Sequence, residues 1–72
     1  MERIDAKLII AFARSNMVVV DTGLKVGCSR NTVIYHFEKI RKATGLDPRN
    51  FFDLGELYEI ARNTLGDDFE II

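Results

Sequence analysis

The chain of 72 residues has one cysteine, one histidine and no long apolar run. A single cysteine cannot form an internal disulfide bond, which fits a reducing compartment such as the cytoplasm. We expect Cys28 to be a small core residue, because no cysteine and histidine cluster with the spacing of a zinc site accompanies it. The sequence therefore predicts neither a metal ion nor another cofactor.

Signals for membranes and export are also missing. No apolar run approaches the roughly 20 residues that are needed to cross a bilayer. The first residues, MERIDAKLIIAF, form too short and too charged a stretch for a signal peptide. We therefore expect a cytoplasmic protein that does not bind membranes.

The side-chain combinations typical of enzymes are absent from the sequence. There is no carboxylate pair, Ser-His-Asp set, Cys-His set or phosphate-binding loop, and so small a domain has little room for a deep pocket. His36 lies beside an apolar stripe, where a packed or half-exposed histidine is expected rather than a catalytic one. We therefore predict that the protein is not an enzyme.

What the sequence does contain is a helix-turn-helix pattern over residues 22–40. Gly27 supplies the left-handed backbone that a short turn between two helices needs. Ser29 follows as a good N-cap, whose hydroxyl can accept from a free amide of the next turn. The apolar stripe of the second helix consists of Val33, Phe37 and Ile40, which recur at helical spacing.

Gly23 lies where the two helices of such a motif cross. A missing Cβ at this point lets the two backbones approach closely. Alternatively, Gly23 only weakens the first helix, by about 1 kcal/mol relative to alanine. The residues that favour the crossing are Val26, Gly27, Cys28 and Val33.

The periodicity predicts an all-α fold, a small helix-turn-helix bundle with helices near residues 5–14, 18–26, 30–44 and 53–65. Asp53 is expected to cap the last helix, and Phe51 and Phe52 in the preceding linker are expected to join the core. The other predicted core residues are Leu8, Phe12, Val26, Val33, Phe37, Ile40, Leu46, Leu57 and Ala61.

We expect residues 1–66 to form the helix-turn-helix domain and residues 67–72 to form a C-terminal tail. The tail alternates apolar and polar side chains. It is expected to be disordered, to fold back on the domain or to pack on a partner.

The net charge of −1 is unevenly distributed along the chain. Residues 25–49 contain six basic and two acidic side chains, a net charge of +4, whereas residues 50–72 contain one basic and six acidic side chains, a net charge of −5. This polarity would orient the protein on DNA with the positive segment towards the phosphates. It also predicts modest non-specific affinity, because few phosphates can be neutralised.

The start of the second helix of such a motif is where base edges are contacted. Arginine pairs with guanine and asparagine with adenine, so Arg30 and Asn31 are candidate base contacts, although they could be ordinary first-turn residues. Tyr35 could stack on a sugar or donate to a phosphate, or it could simply be exposed. Glu38 could accept from cytosine, but an intrahelical pair with Lys42 is favoured.

The complete set of predicted DNA-binding residues is Arg30, Asn31, Thr32, Ile34, Tyr35, Lys39, Arg41 and Lys42. Lys39, Arg41 and Lys42 are either phosphate contacts or part of a solvated face.

The segment SRNTVIYHFEKIRKATGLD resembles the C-terminal helix-turn-helix of the purine-catabolism-regulator (PucR) type, which sugar-diacid regulators share. The resemblance is fairly specific in this segment and extends more loosely from Lys7 to about Leu65. Ser29 replaces the histidine that is usual in the family, and Gly23 replaces its usual alanine. The residues in register are Arg30, Asn31, Thr32, Val33, Tyr35, Phe37, Ile40, Thr44, Gly45, Leu46 and Asp47.

The resemblance implies a bacterial transcription regulator that binds duplex DNA sequence-specifically. Family members usually carry the motif at the end of a long sensory protein, for which 72 residues leave no room. Because one recognition helix reads only a few base pairs, we expect a homodimer or a larger regulatory assembly, formed through the last helix with Phe69, Ile71 and Ile72, unless the tail folds onto its own helix. The alternative is a protein-interaction module that keeps the fold without binding DNA, which the near-neutral charge favours.

Overall fold

Four helices follow one another in a computed structural model of the chain, which describes residues 1–67. The helices are α1 (Arg3–Arg14), α2 (Val19–Val26), α3 (Arg30–Thr44) and α4 (Phe51–Leu65). The all-α class is confirmed, and no strand occurs in the described part of the chain. The predictions for Phe69, Ile71 and Ile72 fall outside the described residues.

The central element is α1, which packs most extensively against α4 and also contacts α2 and α3. Its side chains are therefore buried around most of the helix rather than along one stripe. Ile9 and Ile10 are fully buried, whereas Ile4 is 38% exposed. A helix with neighbours on three sides needs more apolar positions than a helix on the surface.

The core contains most of the residues that the periodicity indicates. The rings of Phe12 and Phe37 pack edge to face with their centroids 4.8 Å apart, which joins α1 to α3. Val26 and Leu46 were predicted as core residues but are only partly buried at its margin. The buried residues that were predicted are Leu8, Phe12, Val33, Phe37, Ile40, Leu57 and Ala61.

The N-terminus of α4 differs from the prediction. Asn50, not Asp53, is the N-cap, because its side-chain oxygen accepts from the amides of Phe52 and Asp53 at 3.0 and 3.1 Å. The helix therefore begins at Phe51, two residues earlier than expected. The Asp53 carboxylate instead accepts from the Asp47 amide at 3.0 Å and ties the linker to the helix.

The prediction that Phe51 and Phe52 join the core is wrong. Phe51 is 71% exposed and Phe52 is 82% exposed. The early start of α4 places both residues in its first turn, at the margin of its contact with the end of α1, where they remain exposed. Leu54 and Leu57 take the positions that contact the core instead.

A tight turn connects α1 to α2. Asn16 and Met17 both have left-handed backbone, with φ of 55° and 62°. The Met17 amide donates to the Phe12 carbonyl at 2.9 Å, which satisfies one of the open acceptors at the end of α1. The chain can then reverse direction within a few residues.

Candidate nucleic-acid interface

The connection between α2 and α3 depends on two glycines. A Cβ added to Gly23 would lie 2.5 Å from the carbonyl oxygen of Cys28, so no other residue fits there without a backbone shift. Gly27 has φ of 88°, and its amide donates to the Gly23 carbonyl at 2.7 Å. The left-handed turn and the close backbone approach at Gly23 are therefore confirmed, but the backbone that approaches Gly23 is that of the turn at Cys28 and not that of α3 itself.

Ser29 fixes the start of α3. Its hydroxyl oxygen accepts from the Thr32 amide at 3.2 Å and lies 2.9 Å from the Thr32 hydroxyl. This N-cap was predicted from sequence and is confirmed. It holds the first turn of α3, with Arg30 and Asn31, in a defined orientation beside the inter-helix turn.

The outer face of α3 is polar and projects from the domain. We call Arg30, Asn31, Tyr35 and Lys42 the recognition face. All four residues are exposed, and Tyr35 is 64% exposed. Within residues 1–67, the side chains of Arg30, Asn31 and Lys42 have no hydrogen-bond or ion-pair partner, so they remain available to a ligand.

These features are those of a helix-turn-helix domain, and the comparison with protein families agrees. The model of the PucR C-terminal helix-turn-helix domain matches residues 6–59. The chain belongs to this family. No significant match to a curated protein or to a solved structure was found.

Within this PucR-type domain, the remaining predicted DNA-binding residues differ in their surroundings. Thr32 is exposed and Ile34 is half-buried. Arg41 is exposed, but its guanidinium donates to the Glu38 carboxylate, with Nη2 2.8 Å from Oε2. This hydrogen bond raises the pKa of Arg41 and lowers the pKa of Glu38.

The predicted intrahelical pair of Glu38 with Lys42 is not the hydrogen-bonded one, although the charge of Lys42 also helps to lower the pKa of Glu38. The Glu38 carboxylate turns instead to Arg41, three residues along the helix. A planar guanidinium can donate through two nitrogens at once, and here Nε also approaches Glu38, at 3.4 Å. As a consequence, Lys42 keeps its ammonium group for another partner.

Lys39 lies apart from the recognition face, on the flank of α3 that faces α1. Its ammonium group donates to Glu2 at 2.9 Å and lies 3.3 Å from a carboxylate oxygen of Asp5. The hydrogen bond to Glu2 raises the pKa of Lys39 and lowers that of Glu2. Lys39 therefore contributes to the contact between α1 and α3.

His36 completes this contact. Its Nδ1 lies 2.8 Å from the second oxygen of Asp5, and both side chains are largely buried. Because a carboxylate only accepts, Nδ1 carries the hydrogen and donates. The sequence prediction of a packed or half-exposed histidine is consistent with this position, but it did not identify Asp5 as the partner.

A sequence signal for this polar contact exists in retrospect. Glu2, the N-cap of α1, is three residues before Asp5, and His36 and Lys39 are three residues apart on α3. Such spacing places each pair on one face of its helix. Two faces of opposite charge on helices that pack together form a natural contact, but only the packing reveals that these two helices meet there.

Charge is segregated between the elements. Of the basic residues of α3, Arg30 lies next to the turn and Lys39, Arg41 and Lys42 lie towards the C-terminal end, whereas residues 50–67 contain four acidic side chains and one basic side chain. The acidic helix α4 packs on α1.

In the part of the chain that the structure describes, no helix is long and apolar enough to span a bilayer.

Proposed function

We propose that this protein binds duplex DNA sequence-specifically and regulates transcription in the bacterial cytoplasm, without enzymatic activity. The observation that carries the proposal is the recognition face, which projects from a helix whose start is fixed by the turn and by the Ser29 cap. Exposed arginine, asparagine and lysine side chains on such a helix match the donors and acceptors of a major groove.

Within this proposal, the first turn of α3 contacts bases. Arg30 has the geometry to donate to guanine O6 and N7, and Asn31 to pair with adenine N6 and N7. Thr32 and Ile34 flank them, and the methyl groups of both suit contact with thymine. These residues specify the sequence, whereas contacts to phosphate fix the position of the domain.

The phosphate contacts come from further along α3. Lys42 is exposed at the C-terminal end of the recognition face, and the Tyr35 hydroxyl can donate to a phosphate oxygen. Arg41 can bind a phosphate if a hydrogen bond to the phosphate replaces its exposed hydrogen bond to Glu38. Lys39 would have to leave two carboxylates of α1 to do the same, so we assign it the weakest contribution among the predicted site residues.

Two copies of the domain are needed for a specific site. One recognition helix contacts only a few base pairs, too few to select one site in a genome. Two copies about 34–36 Å apart would contact successive major grooves on one side of the duplex. We therefore include a homodimer, or a larger regulatory assembly, in the proposed function.

The alternative function is a protein-interaction module that keeps the helix-turn-helix fold. The exposed Phe51 and Phe52 support it, because single-domain proteins seldom leave two adjacent aromatic rings in solvent. The acidic side chains of α4 also favour this alternative. This alternative predicts a protein ligand and no dependence of any complex on DNA sequence.

Selection from a pool of random duplexes tests the two functions. DNA binding predicts that a common sequence is enriched and that the protein shifts this duplex more strongly than a scrambled one. The affinity should fall with rising salt, because bound phosphates release counterions. No enrichment, together with no shift at low salt, would exclude the DNA-binding function and leave the interaction module.

A further inference from the structure

Phe51 and Phe52 have no role in the core or on the recognition face. Their rings pack edge to face with centroids 5.6 Å apart, so the two side chains form one protruding apolar knob at the start of α4. Solvent surrounds most of this knob. An aromatic pair held in one arrangement and left in water is typical of a surface that another molecule covers.

A hollow of about 720 Å³ lies directly beside the knob, between the end of α1 and the first half of α4. We call this hollow the aromatic groove. Its walls are mainly apolar, and the knob itself forms one of them. The lining residues that matter here are Ala13, Met17, Phe51, Phe52, Gly55 and Tyr58.

Gly55 supplies a second, independent observation. It lies inside α4, where glycine destabilises a helix relative to alanine. Its φ is not in the left-handed region, and a Cβ added to it would meet nothing within 4 Å. The folded monomer therefore gives no reason for glycine here, in contrast to Gly23, which the close approach of the turn at Cys28 requires.

We infer that the aromatic groove binds a second copy of this chain, through a two-fold contact in which the α4 helices cross at Gly55. A two-fold interface uses the same patch twice, so the patch must be complementary to itself. Here each copy offers both a knob and an adjacent hollow. The missing Cβ of Gly55 allows the two helices to approach closely at their crossing point.

The register of this contact follows from the position of Gly55. If two antiparallel α4 helices cross there, Phe52, three residues before the crossing, comes opposite Tyr58 of the second copy, three residues after it. Phe51 comes opposite the aliphatic part of Glu59 in the same way. The aromatic rings of each copy therefore meet apolar partners of the other.

The charges on this face permit the contact. Glu59 and Arg62 already form an ion pair within α4, with N and O 3.7 Å apart, so the charged side chain that lines the groove is paired within each copy, and the exposed Glu56 next to Gly55 does not line it. The two Glu59 residues of the dimer are separated by eight residues of helix, about 12 Å along the axis. That separation exceeds the Debye length of about 8 Å at physiological salt, so their repulsion is weak.

This dimer rests on the proposed function for its purpose but not for its structural argument. The recognition face belongs to α3, and the groove is formed by α1 and α4. Because the interface involves α4 and the end of α1, the dimer leaves α3 of each copy free to contact DNA. The interface shares the last helix with the contact expected from the sequence, but it does not include the tail, because the groove residues lie between positions 13 and 59.

Sedimentation equilibrium of the full chain tests the inference. We expect a dimer at tens of micromolar, and Phe52→Gln should weaken it by about tenfold or more, since truncating a central aromatic anchor removes a large share of the binding energy. Gly55→Gln should also weaken the dimer by obstructing the crossing, while it raises the melting temperature of the monomer.

Leu24→Gln is the matched control. Leu24 is 78% exposed, nearly as much as Phe52, but it lies on α2, away from the groove. It should leave self-association unchanged. A parent chain that is monomeric at tens of micromolar, equal weakening by the control, or unchanged dimers in both groove variants would overturn the inference.

Duplex binding separates this inference from the proposed function. If the chain binds the selected duplex but remains monomeric in solution, the groove dimer is wrong and the DNA-binding function stands. If Phe52→Gln and Gly55→Gln abolish dimers and the parent binds no duplex, the groove dimer is supported and the DNA-binding function fails.

Discussion

The turn between α2 and α3 and the start of α4 show opposite relations between local sequence and structure. In the turn from α2 to α3, each glycine and the Ser29 cap has the role that its residue type indicates. At the start of α4, the N-cap is Asn50, three residues before the expected Asp53, and two phenylalanines lie outside the core. The first region depends on backbone geometry, which acts over a few residues.

The second region depends on which face of a helix meets the core. A cap at Asn50 instead of Asp53 shifts the start of α4 and places Phe51 and Phe52 in a helix rather than in a linker. Their direction then follows from the helix, whose buried face is fixed by Leu54 and Leu57. A small change in a local signal thus changes the burial of two large side chains.

The largest expected effect compares a buried with an exposed phenylalanine. Phe37→Ala should destabilise the domain by about 3–5 kcal/mol, because Phe37 packs on Phe12 in the core. That loss is comparable to the whole stability of a domain of this size. Phe52→Ala should change the stability of the monomer by no more than about 0.5 kcal/mol.

Thermal unfolding followed by circular dichroism at a dilute concentration measures both variants. The comparison between the two regions breaks down if Phe52→Ala unfolds as readily as Phe37→Ala. Such a result would place Phe52 in the core after all.

The next effect compares two glycines. Gly23→Ala should destabilise the domain by about 1–3 kcal/mol, because its Cβ collides with the Cys28 carbonyl and forces a backbone shift. Gly55→Ala should stabilise the monomer by up to about 1 kcal/mol, because α4 gains helix propensity and nothing obstructs the methyl group. Urea unfolding of the two variants and the parent gives both changes in the free energy of unfolding. Changes of the same sign for Gly23→Ala and Gly55→Ala would contradict the assigned roles.

A third prediction separates base contacts from phosphate contacts on α3. Asn31→Ala should leave the fold intact and weaken binding to the selected duplex by about 1–3 kcal/mol, with little change for random duplexes. Lys42→Ala should weaken all duplexes alike and reduce the salt slope by about 1. Titrations of both variants at several salt concentrations measure this, and equal loss on specific and random duplexes for Asn31→Ala would exclude direct base recognition.

The smallest effect concerns the exposed pair that links α1 to α3. The pKa of Glu2 is lowered by Lys39, so its contribution to stability is present at neutral pH and is lost as the pH falls through that lowered pKa. The pKa of Lys39 is raised by Glu2, so its contribution is lost only as the pH rises through that raised pKa.

Glu2→Gln should therefore lower the melting temperature slightly between these two limits and leave it unchanged in strong acid and strong alkali. High salt should reduce the difference at neutral pH, because the pair is exposed. Glu56→Gln, which removes an exposed carboxylate from α4 that forms no ion pair within residues 1–67, is a suitable control. A difference that persists in strong acid would show that Glu2 acts through packing rather than charge.

The amino-acid sequence by itself determined the helix limits around the turn, the close backbone approach at Gly23, the cap of α3 and the set of outward polar residues on that helix. These features follow from φ preferences, the size of a side chain and helical periodicity, which all act over one or two turns. The family resemblance rests on the same residues and is confirmed by the match over residues 6–59.

Only the tertiary structure decided which residues meet across the bundle. It placed Asp5 against His36, turned Lys39 towards α1, buried α1 on several sides and left the knob of Phe51 and Phe52 beside the aromatic groove. Asp5 and His36 are 31 residues apart in the chain, and no local preference encodes their contact. Such pairs depend on the packing of whole helices, in which the burial of many apolar side chains outweighs the preference of any single residue.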